Sequence, residues 1–171
     1  MSPDTRRLVL IRHAKAARPY GVPDEDRPLT GRGRRDAQAA GAWFATEGPR
    51  PDLTLCSTAT RTRHTWEIVC RAIPPVPTRY LPELYEADVH DVVNLASAAP
   101  DEAKVLVVVG HEPTISVAAL TLAGKGSDRR ALEALADKFP TSAIAVLRFE
   151  GPWARLRAGR TALETFTVPR G

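Results

Sequence analysis

Hydrophobic and polar positions along the chain alternate between two periods. Residues 7–11 (Arg-Leu-Val-Leu-Ile) are short, continuous and aliphatic, the pattern of a strand covered on both faces. Lys104 to Val109 repeats that pattern more strongly, and Gly110 ends it. Residues 52–56 form a weaker strand, and 78–81 a short one. Residues 142–149 and 153–157 resemble a hairpin around Glu150-Gly151, with a last strand at 163–168.

Between these runs the period changes to that of a helix. Thr30 caps a helix reaching Thr46 with Ala37, Ala40 and Phe44 on one face, stopped at Gly48-Pro49. Ser57 or Thr58 begins a second, reaching Ala72 and anchored by Trp66, Ile68 and Val69. Pro74, Pro75 and Pro77 then break the chain. Further helices are expected over 88–98, from Pro113 to Ala123, and from Asp128 to Lys138. Residues 14–30 form a long loop rich in proline and charge, of a length that usually serves function. Strands alternating with helices at the front and a hairpin at the back predict a three-layer α/β/α sandwich with a mainly parallel central sheet. The 171 residues contain no linker, repeat or low-complexity segment, so residues 1–171 are read as a single domain.

Composition narrows the class. No apolar run approaches the roughly 18 residues of a membrane span, and the N-terminus lacks a secretory pattern, so a cytoplasmic protein without a membrane partner is expected. Cys56 and Cys70 have no metal-ligand spacing. The formal net charge of +4 suits an anionic partner, but no nucleic-acid-binding motif accompanies it.

The candidate chemistry lies where strands end. Arg12-His13 follows the first strand and Gly110-His111-Glu112 the strongest one. In a parallel sheet, ligands bind at the carboxyl ends of the strands. If these two strands are neighbours, His13 and His111 meet at one rim. Either histidine alone could be just a polar residue at a strand exit. A third exit, Ser57-Thr-Ala-Thr-Arg61-Thr-Arg63-His64-Thr65, carries hydroxyls and arginine into a helical turn, which suits an anion. His64 and His90 are read as surface residues. The Asp88-Val-His90-Asp91 triplet lacks a second set of metal ligands.

"RHAKA", then Arg27-Pro28-Leu29-Thr30-Gly31, then Ser57-x-x-x-Arg61-x-x-x-Thr65, then Gly110-His-Glu-Pro113 resembles the histidine phosphatase superfamily, which is phosphoglycerate mutase-like. Within it the chain most resembles the SixA-type phosphohistidine phosphatases, over residue 8 to about 150. Ala14 stands where many members carry glycine. The resemblance implies a phosphatase that passes a phosphoryl group through His13, with Arg12, Arg61 and a protonated His111 around the transferring group and Arg27 and Ser57 as further contacts. It implies no metal or other cofactor. The acid is open: Glu83 is the nearest match to the glutamate of one branch, Glu86 is a second candidate, and SixA-like members manage without a strong acid. Glu112 is expected to cap the following helix. The implied substrate is a phosphohistidine-bearing protein. The alternatives are a small phosphomonoester such as a sugar phosphate, a mutase reaction, or a non-catalytic phosphate-binding regulatory domain.

Overall fold

The computed structural model describes residues 4–171. Its strands are β1 Thr5–Arg12, β2 Leu53–Ser57, β3 Thr78–Leu81, β4 Val105–Gly110, β5 Ile144–Glu150 and β6 Thr161–Thr167. Its helices are α1 Gly31–Thr46, α2 Thr60–Val69, α3 Val89–Ser97, α4 Thr114–Leu122 and α5 Arg129–Asp137. The strands form one sheet in the order β3-β2-β4-β1-β5-β6. The β3, β2, β4 and β1 neighbours are parallel, whereas β5 and β6 add an antiparallel edge.

The alternation of β1 sorts the core into two layers. Leu8 and Leu10 pack with Leu106 and Val108 against Val92 of α3, Ile115 and Leu122 of α4 and Leu135 of α5. Val9 and Ile11 pack with Val107 and Val109 against Ala40 and Phe44 of α1 and Trp66 and Val69 of α2. Both faces are covered, which is why the parallel strands read as unbroken aliphatic runs.

Two local expectations change. Residues 153–157 do not supply the hairpin's second strand: β5 pairs with β6 instead, and Trp153–Arg155 is a 3-10 turn. Trp153 is fully buried, and its Nε1 donates to the Ala103 carbonyl at 2.7 Å. Burying that ring turns the segment inward and leaves the edge of β5 to a later strand. Neither Ser57 nor Thr58 caps α2, because Ser57 ends β2 and Ala59 holds the cap position without a side-chain bond. Among the described residues, no helix is long and apolar enough to cross a membrane.

Candidate active site

The register of β1 against β4 sets Arg12 opposite Gly110. The next residue on each strand is a histidine, and the His13 and His111 rings lie with centroids 5.4 Å apart. Backbone bonds hold this rim from three sides. His13 N–H donates to the Gly110 carbonyl at 3.1 Å. Ala14 N–H donates to Thr65 Oγ1 at 2.9 Å, tying the rim to α2. The Ser142 N–H donates to the carbonyls of both Arg12 and His13 at 3.2 Å. Ser142 reaches them from a left-handed conformation, φ 66°, that few non-glycine residues adopt.

Hydrogen bonds assign the tautomers of both rings. Nδ1 of His13 lies 2.7 Å from the Ala14 carbonyl. A carbonyl only accepts, so Nδ1 carries the proton and the Nε2 lone pair is free. Arg61 Nη2 lies 3.4 Å from Nδ1 of His111 and can only donate. The remaining ring nitrogen, Nε2, therefore carries the proton and donates to Ser57 Oγ at 2.8 Å. Burial pushes His13 down to about 3, assisted by the positive groups around it. Burial, then Arg61, pushes His111 down to about 4. Both rings are neutral at pH 7 in the protein alone, so the charge expected on His111 requires an adjoining anion.

Those shifts carry a stability consequence. An unfolded chain protonates both histidines near 6.5, whereas the folded one does not until about 4 and about 3. The unfolded state thus binds more protons in this window, and stability falls as pH falls. Urea denaturation should show about 2 kcal/mol lost between pH 6.5 and 5.5. A variant lacking both rings should show a flatter profile, and an unchanged slope would remove the two histidines as its cause.

The rings open onto a cavity of about 450 Å³ lined by Arg12, Lys15, Arg18, Arg27 and Arg61 among cations, with Asp24 and Glu112 as its carboxylates. Arg12 is positioned by Nη1 donating to the Phe139 carbonyl at 2.8 Å. Burial lowers its pKa, with Glu112 opposing. Arg61 is almost fully buried, and its Nη1 donates to the Asp24 backbone carbonyl at 2.6 Å. Arg27 lines the cavity and also pairs with Asp24 at 2.9 Å. Glu112 accepts from Ser116 N–H at 3.0 Å and from its hydroxyl, capping α4 as its position suggested.

Glu83 and Glu86 are not brought in: both are exposed and neither lines the cavity. The 3-10 turn Pro82–Leu84 buries Leu84 and sends Tyr85 inward in their place, its ring 5.6 Å from that of His111. His64 is half-buried rather than on the surface, with its Nδ1 buried and unpartnered. His90 is exposed. Its flanking carboxylates, Asp88 and Asp91, bond each other's backbone as the capping box of α3. Sequence reasoning missed Asp24 and Tyr85, as well as Lys15 and Arg18 in the cavity lining. Asp24 is visible in the sequence only as a local partner for Arg27, and Tyr85 carries no motif of its own.

A cationic cavity around a free imidazole lone pair, at the carboxyl rim of a parallel sheet, is equipment for phosphoryl transfer. The chain belongs to the histidine phosphatase superfamily, whose branch 1 model matches residues 8–104, and it is a phosphatase. An uncharacterised protein of Mycobacterium tuberculosis is 45% identical over 161 residues, 94% of this chain and 100% of that one. An uncharacterised protein of Mycobacterium leprae is 42% identical over 164 residues, again covering 94% of this chain. Among solved structures, a protein provisionally assigned as phosphohistidine phosphatase SixA from Nakamurella multipartitia is 36% identical. It superposes with a TM-score of 0.86 over 96% of each chain. A protein from Agrobacterium tumefaciens with the same provisional assignment is 34% identical, with a TM-score of 0.81 over 96% of this chain and 98% of that one.

Proposed function

We propose that the protein removes the phosphoryl group from phosphohistidine on a protein, by way of a phosphohistidine formed on its own His13. The observation that carries this reading is the His13 ring. It is neutral, its proton is held on Nδ1 by the Ala14 carbonyl, and its Nε2 lone pair is free beside buried arginine. A neutral imidazole is a competent nucleophile toward phosphorus.

The chemistry proceeds in two displacements. Nε2 of His13 attacks phosphorus, the substrate's P–N bond breaks, and its electron pair goes to the departing nitrogen. A phosphoimidazole that carries a proton on its other nitrogen leaves as neutral imidazole, so no acid is required. His13 becomes positive, and its Nδ1–H bond to Ala14 stabilises that charge. Water then attacks phosphorus, the P–Nε2 bond breaks with its electron pair returning to Nε2, and the water's protons leave on inorganic phosphate. Arg12 and Arg61 hold the phosphoryl oxygens, whose charge persists throughout.

The carboxylates favour a nitrogen leaving group over an alkoxide. Asp24 is held well below the usual carboxylate range by its bonds to Tyr85 and Arg27, Glu112 is engaged with Ser116, and Glu83 and Glu86 lie outside the cavity. None is a ready proton donor for an alkyl ester. The parallel sheet and its helical layers supply all the residues used, which supports reading the chain as one catalytic domain. The likeness to the SixA-assigned structures supports a protein-borne substrate.

Substrate comparison tests the proposal. A phosphohistidine protein and an aryl phosphate, whose leaving group needs no proton, should both turn over. An alkyl phosphate such as a sugar phosphate should be slower by about 100-fold, the worth of a missing acid. Glu83→Gln and Glu86→Gln should change none of the three rates. Rapid alkyl-ester turnover that Glu83→Gln abolishes would establish the phosphomonoesterase reading instead.

A further inference from the structure

Asp24 collects more bonds in the cavity than any reaction step assigned above requires. Its Oδ2 accepts from Arg61 Nη2 at 3.0 Å and from the Tyr85 hydroxyl at 2.7 Å, and its Oδ1 accepts from Arg27 Nη1 at 2.9 Å. Its backbone carbonyl separately accepts from Arg61 Nη1 at 2.6 Å. A neighbouring arginine and two groups remote in sequence, Arg61 and Tyr85, thus converge on one carboxylate.

Two roles are open to such a group: to aim the arginines, or to occupy them. The backbone carbonyl already aims Arg61, and the Ala17 carbonyl aims Arg27 through Nε at 2.8 Å. The carboxylate adds bonds to Nη groups of both arginines, the groups that a phosphoryl oxygen would take. A carboxylate that orients an arginine for a ligand is expected behind it, out of the ligand's way. Asp24 instead lines the cavity with its side chain 54% exposed. It is also carried on a three-residue 3-10 turn, Asp24–Asp26, with no buried residue to anchor it. The carboxylate can rotate away from the arginines at little cost in packing, while the backbone carbonyl keeps its bond to Arg61.

We propose that the Asp24 carboxylate is a built-in competitor for the phosphate-binding arginines, withdrawing as the phosphoryl group enters and returning to expel inorganic phosphate after hydrolysis. Five cations around one dianion would otherwise retain the product. Tyr85 sets how firmly the competitor is held. The proposal rests on the cavity being a phosphoryl site, but its test needs no turnover.

The test is titration calorimetry with inorganic phosphate at low, fixed ionic strength on the wild type, Asp24→Asn and Tyr85→Phe. Asp24→Asn removes the competing charge and should bind phosphate about tenfold more tightly. Tyr85→Phe keeps the charge but loosens it, and should tighten binding two- to threefold. It also guards against a local folding defect in Asp24→Asn. Product inhibition by phosphate should strengthen in the same order. Equal or weaker phosphate binding in both variants overturns the proposal, making Asp24 a positioning residue for Arg61. Phosphate binding to none of the three proteins overturns the phosphoryl-site reading itself, and the proposal with it.

Discussion

Replacing His13 with alanine should cut turnover by about 10⁴-fold while leaving a folded protein that still binds phosphate. The size follows from what is lost. In the proposed reaction His13 supplies the bond-forming lone pair, which alanine lacks. His111 has its Nδ1 against Arg61 and its Nε2 against Ser57, so it does not offer a free pair. The arginines remain, which is why binding survives. Acid-sensitive, base-stable label should accumulate on the wild type quenched during turnover of a labelled substrate, and should be absent from His13→Ala. Turnover or label that persists in the variant would end the assignment of His13 as nucleophile. The fold should tolerate the change, because among the described residues the ring is hydrogen-bonded only to the carbonyl of its own neighbour. In acid the variant should lose less stability than the wild type, since one suppressed protonation is gone.

The second large effect is structural and lies twenty residues away. A β-carbon on Gly33 would sit 2.1 Å from the Lys15 carbonyl oxygen and 3.0 Å from the Lys15 nitrogen. Gly33 lies in the first turn of α1, where its N–H donates to the capping hydroxyl of Thr30 at 2.9 Å. Thr30 in turn donates its N–H to the Lys15 carbonyl at 2.9 Å and its hydroxyl to the same oxygen at 3.2 Å. The start of α1 is thus clamped against the backbone two residues beyond His13. Gly33→Ala cannot be relieved by a side-chain rotation, because the obstacle is backbone. We expect a loss of about 3 kcal/mol despite alanine's better helix propensity, with a fall in activity as the Lys15 segment is displaced. Gly31→Ala is the control: its nearest neighbour would be the Arg35 side chain at 3.8 Å, ordinary contact. Equal urea midpoints for the two variants would show that the clamp yields.

The sequence was most informative where function and burial share a local signature. The aliphatic runs before Arg12 and Gly110 announce strands covered on both faces, and the residues after them are necessarily at a rim. Thr30 and Asp128 announce helix starts, and both accept the expected backbone N–H. Arg12, His13, Arg61 and His111 were legible for that reason, each standing at or just beyond the end of an apolar run. Glu83 misled because a motif marks a position along the chain, whereas the direction of a side chain depends on the turn that carries it. Leu84 takes the core, Tyr85 follows it inward, and the flanking glutamates are left in solvent. Asp24 was hidden for the opposite reason. A carboxylate three residues before an arginine reads as a local ion pair, and nothing nearby in the chain reveals Arg61 and Tyr85, which lie 37 and 61 residues further on.

By itself, then, the sequence determined the alternation of strands and helices, the strand exits and the residue types available there, because periodicity and capping act over a few residues. Tertiary structure alone decided that β1 and β4 are neighbours in the register that sets Arg12 opposite Gly110 and brings His13 to His111. It also decided that Trp153 is a core anchor instead of a strand residue, and that a loop carboxylate enters the arginine cavity. Those outcomes depend on which distant groups compete for the same space and the same hydrogen-bond donors, and that competition takes place only once the chain has closed.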